Sequence, residues 1–204
     1  MGKISTYSVL STPTPNDKLI GTDVTSNNET KNFLISDILS LAPTTLNLYK
    51  GSFYDNFTQT LTGGANVAVP VRLNSTDALA TNGVSVVTDG TNLTRITVAN
   101  TGVYNLLFSA QLANSGGTGQ TVDFWLRKNG ATAAFNVADT TGKVVLQSNT
   151  NFAMAAWNYF IALNAGDYIY LMWTATSTNV TMVNTVANAV HPASPSIIVT
   201  LNQV

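Results

Sequence analysis

The stretch Asn100-Thr101-Gly102-Val103-Tyr104-Asn105-Leu106-Leu107-Phe108-Ser109-Ala110 is a turn ending in glycine that runs straight into an apolar strand. Short apolar or alternating runs separated by turn residues continue in both directions from it, the pattern of a sandwich or barrel. Strands are expected at 52–61, 67–73, 84–88, 93–99, 102–112, 121–128, 133–138, 143–147, 153–163, 167–175, 180–186 and 196–202. Between them stand Asn82-Gly83, Asp89-Gly90, Asn129-Gly130, Gly116-Gly117-Thr118-Gly119 and Ala165-Gly166-Asp167. Asn-Gly and Asp-Gly pairs accept positive φ and suit tight turns. The glycine run has no following helix and no lysine, so it is expected to be a hairpin tip rather than a phosphate cradle. No long helical pattern competes with this reading.

Composition points the same way. Of 204 residues, 45% are hydrophobic and only 9% charged, against roughly a quarter charged in an ordinary soluble domain. Asn, Thr, Ser, Gly and Ala cover the surface instead, a mixture that suits strands and turns and disfavours exposed helices. The net charge of −1 and the lack of a basic cluster argue against nucleic acid as a partner. The chain has no cysteine, which excludes disulfides, thiolate metal sites and a cysteine nucleophile and suits a protein made in a reducing cytoplasm. No run approaches the ~18 apolar residues of a membrane span, and the opening residues lack a signal-peptide core, so neither membrane nor secretion is expected.

Residues 1–48 differ from the rest. They hold Pro13, Pro15, the polar cluster Thr25-Ser26-Asn27-Asn28-Glu29-Thr30 and only short apolar pieces, too few to bury a core alone. Lys18-Leu19-Ile20-Gly21-Thr22-Asp23 and Lys31-Asn32-Phe33-Leu34-Ile35 are two expected extended pieces joined by a turn. A helical turn is expected over 36–41, stopped by Pro43. Apolar side chains at Leu19, Ile20, Phe33, Leu34 and Ile35, on an arm without a core, are expected to dock on another protein.

Few residues offer catalysis. His191 is the single histidine and precedes Pro192 in an apolar loop; no Ser-His-Asp order or metal-ligand spacing surrounds it. Asp55, Asp77, Asp89, Asp123, Asp139 and Asp167 are the carboxylates that a glycosidase pair would need, but most stand at turns, where Asp has a backbone role. No catalytic residue, metal or cofactor is expected. Alternation puts Phe124 and Leu126 on one face and Trp125 and Arg127 on the other, so both sides of some strands are apolar, which implies an interface beyond one domain's core.

The motif at residues 100–110 resembles the turn and central strand of the C1q and tumour-necrosis-factor jelly-roll superfamily. Phe124-Trp125-Leu126-Arg127-Lys128-Asn129-Gly130 and Leu163-Asn164-Ala165-Gly166-Asp167-Tyr168-Ile169-Tyr170-Leu171 follow in the same order, and Ser196-Ile197-Ile198-Val199-Thr200-Leu201 would close the core. The likeness covers roughly 52–204 and implies an all-β jelly-roll sandwich at 49–204 that packs as a homotrimer. Tyr104, Phe108, Trp125, Tyr168, Tyr170 and Trp173 are its expected core or trimer-interface residues.

The arm resembles a module of bacteriophage fibre and virion-attached proteins in Asn16-Asp17-Lys18-Leu19-Ile20-Gly21-Thr22-Asp23 and in Thr30-Lys31-Asn32-Phe33-Leu34-Ile35-Ser36-Asp37-Ile38. That resemblance implies a structural protein on the outer surface of a virion. Lys18, Leu19, Ile20, Gly21, Asp23, Phe33, Leu34 and Ile35 would anchor it to a capsid or tail protein. The absence of a long repetitive shaft favours a head fibre or capsid decoration over a tail fibre. A tail-fibre protein that recognises a host-surface glycan is the alternative.

Overall fold

A computed structural model describes residues 12–25, 27–41, 49–150 and 152–204. The chain divides into two units, Met1–Asn47 and Leu48–Val204. In the first, strands β1 (Lys18–Asp23) and β2 (Glu29–Leu34) form an antiparallel hairpin with Lys18 opposite Leu34 and Asp23 opposite Glu29. Asn27 and Asn28, at φ 53° and 61°, belong to the turn between them, a conformation asparagine tolerates better than most residues. The Phe33 ring lies over Gly21, where a Cβ would stand 3.0 Å from it. Helix α1 spans Ile35–Leu41; Ile35, expected at the end of a strand, opens this helix instead. Pro43, expected to stop the helix, lies outside the described residues.

The second unit is an all-β jelly-roll sandwich of two antiparallel sheets, as the resemblance implied. Its strands are β3 (Lys50–Asp55), β4 (Gln59–Thr60), β5 (Val69–Pro70), β6 (Ser75–Thr76), β7 (Val84–Thr88), β8 (Leu93–Val98), β9 (Gly102–Asn114), β10 (Gln120–Lys128), β11 (Gly142–Leu146), β12 (Ala153–Leu163), β13 (Tyr168–Ala175), β14 (Val180–Met182) and β15 (Ile197–Gln203). The first sheet runs β11-β10-β13-β8-β7, with β5 beside β13. The second runs β4-β14-β9-β15-β3-β6, with β12 on the far side of β9.

Several local expectations fail for physical reasons. Residues 133–138 do not form a strand: Ala133–Phe135 is a single 3-10 turn, closed by Phe135 N–H to Thr132 O and Asn136 N–H to Ala133 O, each 3.1 Å. Alanine lacks the branched bulk that makes a strand pack. The glycine run at 116–119 is not a hairpin tip, because β9 and β10 belong to different sheets. It is a crossover pinned by buried Asn114, whose Nδ2 donates to Thr118 O and Gln147 O and whose Oδ1 accepts from Gly116 N–H. The expected strand at 67–73 forms a ladder only at Val69 and Pro70, on the edge position that proline tolerates; Val71 N–H still donates to Leu171 O, and Leu73 N–H then turns to Leu93 O, each at 2.8 Å. The strand expected at 52–61 is broken between Asp55 and Gln59.

The core is the inner side of both sheets. Tyr104, Leu106, Phe108, Ala110 and Leu112 of β9 and Val199 and Leu201 of β15 meet Val122, Phe124 and Leu126 of β10 and Ile169, Leu171 and Trp173 of β13. Buried Tyr104 also donates its hydroxyl to Asn100 O at 2.8 Å, closing the turn before β9; burial holds its pKa above the usual value.

One polar cluster ties the ends of β10 and β13 together. Asp167 accepts from Lys128 Nζ (2.8 Å), Asn164 N–H (2.8 Å) and Asn129 Nδ2 (2.7 Å). Lys128 first, then the two amide donors, lower its pKa to about 2. The folded-state value lies below the ~3.9 of an unfolded Asp. The stabilisation is therefore complete above about pH 4 and is lost as pH falls toward 2. A depression of this size corresponds to at most about 2.5 kcal/mol, and solvent at the sheet's edge reduces it to about 1 kcal/mol. Asp167→Asn is expected to lower stability by that amount at pH 7 and to flatten its decline between pH 4 and 2, measured by urea denaturation at each pH.

Candidate functional site

A sandwich has two outer faces, and here they differ in kind. On the second sheet the outward positions of β12 are Met154, Ala156, Asn158, Phe160 and Ala162, those of β9 are Val103, Asn105, Leu107, Ser109 and Gln111, and those of β15 are Ile198, Thr200 and Asn202. None is charged. Register places Asn158 and Thr200 on either side of Leu107, and Phe160 opposite Asn105. Met154 is 70%, Phe160 65% and Leu107 51% exposed, a concentration of apolar surface that soluble monomers rarely leave open to water. Leu107, Ser109, Ala156 and Ile198 line a shallow hollow of about 130 Å³ at its centre. On the same face, opposite Phe160, the side-chain oxygen of Asn105 is buried without a hydrogen-bond partner.

The first sheet's outer face carries aromatic and charged groups instead. Tyr168 and Tyr170 of β13 meet edge to face, centroids 5.5 Å apart. Arg95 of β8 lies over Tyr168, 5.1 Å from the ring centroid, and its Nε donates to the Tyr170 hydroxyl at 2.8 Å, which raises its pKa. On β10, Trp125 Nε1 and Arg127 Nε both donate to Asn136 Oδ1 at 2.9 Å. Asp123 and Thr174 stand opposite each other on β10 and β13. Each leaves a buried side-chain oxygen without a hydrogen bond, beside a hollow of about 320 Å³. Lys143 Nζ is 3.3 Å from that Asp123 oxygen, near enough for charge pairing but outside hydrogen-bond geometry.

The six aromatics singled out in the sequence therefore divide. Tyr104, Phe108 and Trp173 are core residues with almost no surface left for a partner, Trp125 and Tyr168 are half-buried on the outside of the first sheet, and Tyr170 points to that same side but is covered to 3% exposure. The residues of the uncharged face were not singled out. Their signal was present in the alternation of residues 102–112, which sets Val103 and Leu107 on the side opposite Tyr104 and Phe108.

In the N-terminal unit Leu19 is 50% and Ile20 77% exposed, while Phe33, Leu34 and Ile35 are half-buried. Lys18 is exposed, and Asp23 accepts from Thr25 and Lys31 within the hairpin.

The carboxylates have backbone or ion-pair roles. Asp55 is fully buried and 2.7 Å from Arg72 Nε, Asp77 caps the turn at Ala78–Ala80, and Asp89 accepts from Thr91 N–H, Asn92 N–H and the Thr94 hydroxyl. His191 is an exposed loop residue bonded to Asn188 and Pro192 O. Among the described residues no group of three His, Cys, Asp or Glu side chains is arranged to hold a metal ion.

No family model matches the chain, and no curated protein matches it. Among solved structures it is similar to Eiger TNF from S. frugiperda, at 14% identity and a TM-score of 0.48, over 77% of this chain and 92% of that one. Nothing about ligand or partner follows from that likeness.

Proposed function

We propose that this chain is a non-enzymatic structural subunit of a bacteriophage particle, a homotrimeric head fibre or capsid decoration protein. It is made in the host cytoplasm and mounted on the outer surface of the virion. The observation that carries this reading is the uncharged face of β12, β9 and β15, whose apolar side chains need cover that their own unit does not supply. A second copy of the same face is the cover with matching chemistry, and a closed ring of three fits the superfamily that the strand motifs resemble. The particle is inferred from the arm, where the resemblance to virion-attachment modules coincides with a hairpin that leaves Leu19 and Ile20 exposed.

Removing residues 1–40 is expected to leave a soluble trimer that no longer joins particles, measured by mixing tagged protein with particles that lack it and sedimenting them. A truncated protein that still joins would overturn attachment through the arm. The second reading, a tail-fibre protein that recognises host-surface glycan, is favoured by one observation, the half-buried Tyr168 ring with Arg95 laid over it on the opposite face.

A further inference from the structure

Arg95, Tyr170 and Arg127 stand side by side on three adjacent strands. Tyr170 is opposite Arg127, and the pairing of Ile169 with Ile96 and Tyr168 with Thr97 carries Arg95 to the other side of Tyr170. Strand spacing puts the two arginine backbones about 10 Å apart. Their side chains line one open hollow of about 350 Å³ together with Asp89, Thr91 and Met172. That volume is at the lower end of small-molecule sites, room for a single ring-sized group.

The charge in this hollow is unbalanced. Arg127 is only 6% exposed, and a buried guanidinium ordinarily has a carboxylate partner. All ten Asp and Glu residues lie among the described residues, yet the ion pairs are made by Lys31, Arg72, Lys128 and Lys143, not by Arg95 or Arg127. Arg127 is held by neutral acceptors, Asn136 Oδ1 and Ala131 O, and Arg95 by a phenol and a ring face. Both guanidinium groups are thus fixed in place by hydrogen bonds without being neutralised, the preorganisation that anion recognition requires. Asp89, already accepting three hydrogen bonds, leaves the hollow with two positive charges and one negative. One negative charge on the ligand completes it, whereas a phosphate dianion overshoots and meets Asp89. The Thr91 hydroxyl and the spare lone pairs of Asp89 suit a ligand that also bears hydroxyl groups.

We propose that this hollow binds the carboxylate-bearing ring of an acidic saccharide, a hexuronic acid unit, with Arg95 and Arg127 as its carboxylate clamp. The site concerns the hollow alone and holds whether or not the chain is a virion subunit.

The test is titration of the full chain with glucuronate, glucose and inorganic phosphate, followed by isotope-edited NMR of the backbone amides and of the Trp125 indole. Glucuronate is expected to shift the amides around Tyr170 and Arg127 with a Kd of about 1 mM, and glucose and phosphate at least about tenfold more weakly. Arg95→Gln, at a half-exposed position, is expected to weaken glucuronate at least about tenfold with the spectrum otherwise intact, the loss of a charge-assisted pair. Arg127→Met should do the same if it folds; if it does not, the Arg95 variant decides. Equal binding of glucuronate and glucose, stronger binding of phosphate, no shift up to about 50 mM, or an unaffected Arg95→Gln would each overturn the proposal.

Discussion

Phe108→Ala is expected to cost the unit Leu48–Val204 about 3–5 kcal/mol, seen as a lower urea midpoint with an unchanged slope. Phe108 is 1% exposed and stands where the two sheets meet. Its ring centroid is 5.0 Å from Phe124 on the facing sheet, 5.6 Å from Trp157 and 6.2 Å from Tyr159. Phe124 is in turn stacked on Trp173 at 6.5 Å. Rings packed on other rings cannot slide into a vacated space, so the truncation leaves a cavity rather than a repacked core. Against a typical total of 5–15 kcal/mol, this loss is a large fraction. A change below about 1 kcal/mol would mean that the aromatic cluster is looser than its geometry implies.

Phe160 is the informative contrast. It has the same side chain one strand away but faces outward at 65% exposure. Leu107→Asp combined with Phe160→Asp is expected to change the unfolding of an isolated subunit by under about 1 kcal/mol, yet to convert the assembly to monomers. In the proposed trimer a carboxylate placed on this face would be buried without a partner in each copy, at several kcal/mol apiece. Light scattering over a dilution series reads the result: three times the 21.6 kDa subunit mass for the native chain and one times for the double variant. A native chain that stays monomeric, or a double variant that stays trimeric, would remove the uncharged face from the proposed assembly.

How much of this was legible beforehand depends on the range of the interaction. The strands Val84–Thr88 and Ala153–Leu163 fall on the residues expected, because alternation and flanking turns are local signals. The split of Phe124 and Leu126 from Trp125 and Arg127 is likewise a local consequence of the pleat. The short ladder of Ser75–Thr76 against β3 was not foreseen, since two polar residues carry no pattern of their own. Nor did alternation say which phase of residues 102–112 would meet the opposite sheet. That choice puts Tyr104 and Phe108 inside and Val103 and Leu107 outside, and it depends on partners far away in the chain. The arginine hollow was illegible for the same reason: Arg95, Arg127 and Tyr170 are brought together only by the order β10-β13-β8.

Strand β15 lies between β9 and β3 and pairs with both along most of its length. The ribosome reaches residues 197–203 only after every strand they join. During synthesis β3 and β9 therefore wait with open edges and uncovered apolar sides, and the sheet cannot close until this piece arrives. A message cut short just before it would yield not a slightly weaker subunit but one without the strand that bridges the two halves of its sheet, so the order of the strands makes assembly conditional on translation reaching residue 203.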